Sequence, residues 1–152
     1  MSERAIKIRC SNCLVLNRVE EPKLGSSPRC GSCKTELTVP RQPAYARQDT
    51  FDREVSYWPE TLLVMFTSNA SVYCRIAEPL ISDLAARRAG KLKVLKVDVD
   101  DDSYFKERFK VTETPAFLVF KAGEFVIRMD GLMKDKSELV QWVENLINYT
   151  SY

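Results

Sequence analysis

Four of the five cysteines fall in two C-x2-C pairs, Cys10-Ser11-Asn12-Cys13 and Cys30-Gly31-Ser32-Cys33, with sixteen residues between them. Each such turn can aim two sulfurs at one point, and two turns complete a tetrahedron with bonds of about 2.3 Å. This spacing is a strong signature of structural Zn²⁺ held by Cys10, Cys13, Cys30 and Cys33. Gly31 permits the tight second turn. The stretch GSSPRCGSC, with Gly25 and Pro28, reads as the bend that returns the second pair to the first. A four-cysteine site is closed to water and substrate, so its work is folding. About forty residues with few large apolar side chains cannot hold a core unaided. Disulfides are the weaker reading, because MSERAIKIRCSNC carries no apolar stretch of export-signal length. Redox-active pairs also rank below metal.

Charge separates the two parts of the chain. Residues 1–48 carry nine Lys/Arg and four Asp/Glu, a formal +5, while the remainder carries 14 basic and 17 acidic residues, or −3. The net +2 is too small to imply a polyanionic partner. Arg4, Lys7, Arg9, Arg18, Lys23, Arg29 and Lys34 therefore read as a solvated basic face in preference to a nucleic-acid contact. No apolar run approaches the roughly 20 residues needed to cross a bilayer. A cytoplasmic location without membrane contact is the expectation. The chain has no histidine, which removes Ser-His and Cys-His nucleophile pairs and the usual base near neutral pH.

A zinc module over residues 1–40 is followed by the proline-bearing linker TVPRQPAYA and a second domain over residues 43–150. Asp49 is placed to cap a short helix bearing Phe51, Val55 and Trp58, ended by Pro59. Thr61–Phe66 is a continuous apolar run, as in strands buried on both faces. A long helix runs from Val72 to about Ala89, with Ile76, Leu80, Ile81 and Leu84 at helical spacing, Pro79 inside it and Gly90 as its stop. Leu92–Val99 reads as a second strand. Asp101 or Asp102 can cap a short helix with Tyr104, Phe105 and Phe109. Ala116–Phe120 and Phe125–Met129 form a hairpin around K-A-G-E, and a last helix, Lys136–Asn148, buries Leu139, Trp142, Val143 and Leu146. Strands alternating with crossover helices predict an α/β domain with a mixed sheet flanked by helices.

Particular residues carry a family likeness. Val64–Arg75, V-M-F-T-S-N-A-S-V-Y-C-R, resembles the strand, active-site loop and helix start of thioredoxins. Pro79 stands where that helix is kinked, and V-T-E-T-P-A-F, Val111–Phe117, resembles the cis-proline segment, with Pro115 as that proline. Lys121–Glu124 and Asp130–Leu132 resemble the hairpin turn and the last glycine loop. The likeness covers roughly residues 43–148. The cysteine module is similar to the zinc-ribbon extension of bacterial thioredoxin-2 proteins, which are cytoplasmic disulfide reductases. The resemblance thus implies a thioredoxin-like fold preceded by a small amino-terminal zinc ribbon.

The same resemblance marks a departure. Dithiol reduction needs one thiolate to attack and a second to resolve the mixed disulfide. Where the family presents W-C-G-P-C, this chain has Ala70-Ser71-Val72-Tyr73-Cys74, so the attacking position is Ser71 and only the resolving-type thiol, Cys74, persists. The family's buried carboxylate falls at Met65, its lysine partner at Lys96 and a tryptophan at Thr67. No base is at hand to activate a serine, whereas serine is a preferred helix cap. Cys74 reads as a buried, sluggish thiol in preference to a reactive one. The run Asp98, Asp100, Asp101, Asp102 reads as a cap plus solvated charge rather than a cation site. The expectation is a peptide-binding, protein-binding or chaperone-like module. A partner would lie against the cis-proline loop, contacting Ala70, Thr114, Pro115 and Gly131, with Tyr73 adding an aromatic contact. Monothiol exchange through Cys74 is the enzymatic alternative.

Overall fold

The computed structural model describes residues 5–20, 26–101, 103–132 and 136–148. Arg4, Lys23, Gly25 and Asp102, all drawn on above, lie outside those residues. Strands β1 (Ala5–Arg9) and β2 (Leu16–Glu20) pair antiparallel, with Ala5 opposite Glu20 and Arg9 opposite Leu16. This hairpin and the second cysteine turn enclose a small core of Ile6, Ile8, Cys10, Val19, Cys30 and Leu37. Two of those six belong to the cysteine pairs, so a cross-link between the turns would close a core that so short a segment could not close alone.

The second part follows as β3 (Ala44–Tyr45), α1 (Phe51–Tyr57), β4 (Thr61–Thr67), α2 (Val72–Arg87), β5 (Leu92–Asp98), α3 (Tyr104–Phe109), β6 (Ala116–Lys121), β7 (Glu124–Asp130) and α4 (Lys136–Asn148). Its sheet runs β3-β5-β4-β6-β7. The first three strands are parallel, and β6 and β7 are antiparallel. Every residue of central β4 is buried, as an apolar run covered on both faces requires. On one face Leu62, Val64 and Phe66 meet Phe51, Phe105 and Trp58. On the other, Leu63 and Met65 meet Cys74, Ile81, Leu84, Leu139 and Val143.

Several local expectations are corrected. The cap of α1 is Thr50, which forms no side-chain cap bond, while Asp49 sits exposed beside Arg47 at 3.8 Å. Thr50 Oγ1 instead accepts the Arg47 N–H at 3.0 Å. The residue preceding α3 is Ser103, again without a cap bond, and Asp101 does not cap it. The buried stripe of α2 is Cys74, Ala77, Ile81, Leu84 and Ala85, with Ile76 and Leu80 only half-buried at its flanks. Trp142 and Leu146 of α4 are likewise half-buried, while Leu139 and Val143 are fully covered.

The ribbon docks at a definite place. Gly90 has φ +92, and a Cβ there would lie 2.5 Å from Ile6 Cδ1. Glycine is therefore required twice, by the backbone and by the close approach of β1. Arg9 Nε donates to the Tyr57 carbonyl at 2.9 Å, and the Tyr57 hydroxyl donates back to the Arg9 carbonyl. Arg9 is thus a latch between the two parts as well as one of the basic residues of the ribbon. Gly90 and Tyr57 lie at the end of the sheet where β4 and β5 begin, since Thr61 is in register with Leu92.

Candidate functional site

The two cysteine turns are near copies. Cys10 N–H donates to Val15 O at 2.9 Å and Leu14 N–H to Cys10 O at 3.0 Å; Cys30 N–H to Thr35 O at 2.8 Å and Lys34 N–H to Cys30 O at 3.0 Å match them. Leu14 and Lys34, each following a second cysteine, share φ 68. The four sulfurs lie within 4.8 Å of one another, with Cys10–Cys33 at 3.5 Å and Cys13–Cys30 at 3.6 Å. Tetrahedral zinc with bonds of about 2.3 Å needs sulfur separations of about 3.8 Å, so the donor set fits that ion.

Surrounding donors suit thiolates. Asn12 and Cys13 N–H reach Cys10 Sγ at 3.4 and 3.5 Å, and Ser32 N–H reaches Cys30 Sγ at 3.4 Å. Thr35 and Asn12 side-chain hydrogen bonds pull Cys33 down to about 5. The Cys33 N–H and then the Asn17 amide, with burial opposing them, leave Cys30 at about 7. Against the lowering Val15 contact, desolvation and three neighbouring sulfurs raise Cys13 to about 11. A dication bound by the four sulfurs would displace the thiol protons that remain on them. Asn17, whose Oδ1 accepts the Gly31 N–H at 2.9 Å, ties the second turn to β2 and had no signal in the cysteine spacing.

At the opposite end of β4 lies the second site. The loop after Thr67 is held by Asp100, whose carboxylate accepts the Ser68 hydroxyl at 2.9 Å and the Asn69 N–H at 2.8 Å. Those donors hold Asp100 below the usual carboxylate range. Asp100 is therefore a loop tether as well as an exposed charge; an acidic residue two positions after a strand was the only sequence sign of it. Ser71 then caps α2: its Oγ accepts the Cys74 N–H at 3.3 Å and donates to the Thr114 carbonyl at 3.0 Å. One hydroxyl joins the helix start to the loop that carries the Thr114–Pro115 peptide, which is cis. Gly131, at φ +81, donates its N–H to the Pro115 carbonyl at 2.7 Å.

Ser71, Thr114 and Gly131 are half-buried, Pro115 is buried and Ala70 is exposed. Val72 and Tyr73 project, 56% and 61% exposed. Cys74 lies beneath them, 1% exposed among Met65, Ala77, Ile81 and Phe117. Lys96 Nζ pairs with Glu78 Oε1 at 2.9 Å and lies 4.8 Å from the Tyr45 ring centroid. Desolvation opposes that charge, but the Glu78 and Tyr45 contacts raise Lys96 overall. Glu78 stands one helical turn after Cys74 on α2, and nothing in the local sequence pattern pointed to its pairing with Lys96.

With this geometry in place, the comparisons with known proteins are decisive. The family model described as Thioredoxin matches residues 42–145. The chain belongs to the thioredoxin family. A second model, Thioredoxin 2, N-terminal, matches residues 9–35. A thioredoxin of Rickettsia bellii is 29% identical over 98 residues, covering 64% of this chain and 92% of that protein. Thioredoxin C-3 of Corynebacterium nephridii is 25% identical over 137 residues, 90% of this chain and 92% of the relative. Among solved structures, a point-mutant thioredoxin of Halobacterium salinarum superposes with a TM-score of 0.64 at 25% identity, over 75% of this chain and 98% of that one. The fold is thus a thioredoxin fold carrying an amino-terminal zinc ribbon. Among the described residues, no helix is long and apolar enough to cross a membrane.

Proposed function

We propose that this thioredoxin-family chain, in which Ser71 occupies the attacking position, is a peptide- or protein-binding, chaperone-like module rather than a dithiol reductase. The observation that carries this reading is the double bond of Ser71 Oγ to Cys74 N–H and Thr114 O. The hydroxyl at the attacking position is committed to structure: it caps a helix of 16 residues and pins the Thr114 loop. A partner segment would lie along Thr114, Pro115 and the Gly131 loop and meet Ala70 and the projecting Val72 and Tyr73, with main-chain hydrogen bonds supplying affinity as in strand addition. Cys10, Cys13, Cys30 and Cys33 would hold one structural zinc ion, which supplies cross-linking of the two turns and no open coordination position. A chain with thiolate ligands and a lone buried thiol suits a reducing compartment such as the cytoplasm.

The test is alkylation of the native, zinc-loaded protein, followed by mass spectrometry from pH 6 to 9. Protection of Cys74 until the protein unfolds supports the binding role. Rapid labelling, with a midpoint well below the ordinary thiol value of about 8.5, would replace it with monothiol exchange through Cys74. Capture of partners that survives both Tyr73→Ser and a bulky residue at Gly131 would also sink the groove.

A further inference from the structure

A cleft of about 840 Å³ opens between the ribbon and α1, bounded by Arg9, Leu14, Arg53, Glu54, Tyr57 and Lys93. It lies at the end of the sheet away from Ser71, beside the Arg9–Tyr57 latch. Three cations and one carboxylate line it. Lys93 is neutralised by Glu54. Arg9 donates to two uncharged carbonyls, those of Tyr57 and Leu14, and has no carboxylate partner among the described residues. Arg53 is exposed and has no ion pair among the described residues. Two cations without a carboxylate partner among the described residues thus line the cleft, the arrangement that attracts an anion. The sulfur cluster next door takes N–H donors of its own from Asn12, Cys13 and Ser32.

The rim adds an apolar element. Leu14, Val15 and Leu16 are consecutive and exposed, Leu14 by 57%. The fold does not demand leucine at position 14, because the matching residue of the other cysteine turn, with the same φ of 68, is Lys34. A contiguous exposed apolar run beside these cations is a recognition surface of mixed chemistry.

We propose that the cleft between ribbon and α1 docks an acidic peptide segment carrying a large apolar side chain, its carboxylates toward Arg9 and Arg53 and its apolar group against Leu14. This site is separate from the Ser71 groove and does not rest on it. A nucleic-acid strand would use the cations but leave Leu14 without a role.

The experiment is an array of random decapeptides probed with the full, zinc-loaded chain, with an oligothymidylate 20-mer titrated alongside. Bound peptides should be enriched in Asp or Glu together with Leu, Ile or Phe. Arg53→Glu and Leu14→Ser, both at exposed positions, should each weaken them at least tenfold, and Tyr73→Ser should leave them unchanged. No acidic enrichment overturns the proposal. So does capture that survives both cleft substitutions but falls with Tyr73→Ser, which would assign it to the Ser71 groove. Oligothymidylate binding that falls with Arg53→Glu but ignores Leu14→Ser would also overturn it, in favour of a polyanion site.

Discussion

At position 71 the difference between serine and cysteine is one atom, and that atom separates a helix cap from a nucleophile. The Oγ stands where a sulfur would receive the same Cys74 N–H and the same field of the α2 amino terminus. Ser71→Cys should therefore create a C-x2-C pair with Cys74. The oxidised variant is expected to lose two mass units on disulfide closure and to gain measurable insulin-reducing activity over a wild-type blank. Closure without activity would assign the remaining defect to Met65, Ala70 or Thr67. Failure to close would show that Cys74 is too deeply packed to pair.

A second residue-scale test concerns Glu144. Arg88 donates to it through Nε at 3.0 Å and through a second, shorter contact, and the Glu144 side chain is 15% exposed. Hydrogen bonding to Arg88 holds the Glu144 carboxyl below its ordinary range. A carboxylate depressed in the folded state adds stability above its unfolded value of about 4.5, and that stability is lost as pH falls through the folded value. Glu144→Gln should cost about 1–2 kcal/mol at pH 7, the range for a hydrogen bond to a charged group discounted for partial exposure. The difference from wild type should shrink below pH 4, as read by urea unfolding.

Among elements, the junction of β1 with the loop after α2 is the most exacting. Gly90→Ala combines a left-handed backbone with a 2.5 Å approach to Ile6. It should destabilise by about 2 kcal/mol and raise amide exchange along β1 and β2, whereas Gly31→Ala, whose nearest neighbour is Asn17 Oδ1 at 3.7 Å, should be mild. Equal effects at the two glycines would dismiss the docking argument. Gly90 also marks what the sequence could and could not disclose. Its role as a helix stop was legible from local pattern, as were central strand β4, the closing helix α4 and both cysteine turns. Its contact with Ile6 was not, because no periodicity links residues so far apart in the chain. Arg9 with Tyr57, Asp100 with Ser68 and Glu78 with Lys96 escaped for the same reason. Each is a polar pairing that exists only once the sheet has brought distant segments side by side. The caps misread at Asp49 and Asp101 show the converse. A capping residue type is common, and the backbone at 50 and 103 offered no cap geometry for it to use.

Across the whole molecule, the ribbon and the Ser71 site are held at opposite ends of the sheet. Ile6 and Arg9 meet Gly90 and Tyr57 where β4 begins at Thr61, while Ser71 follows where β4 ends at Thr67. Seven strand residues span about 20 Å, far beyond the few ångströms that disulfide exchange requires. A ribbon sulfur therefore cannot serve as a disulfide partner for Cys74 unless the ribbon undocks. Oxidation of the metal-free chain with diamide should give disulfides confined to the ribbon, joining Cys10 to Cys33 or Cys13 to Cys30, whose sulfurs are already 3.5 and 3.6 Å apart. Cys74 should remain a free thiol in the peptide map. A Cys74 link to any ribbon cysteine would mean that the Arg9–Tyr57 latch opens once zinc is lost. The ribbon would then be a tethered reserve of thiols for the Ser71 end, and its place at the far end of the sheet a zinc-dependent safeguard.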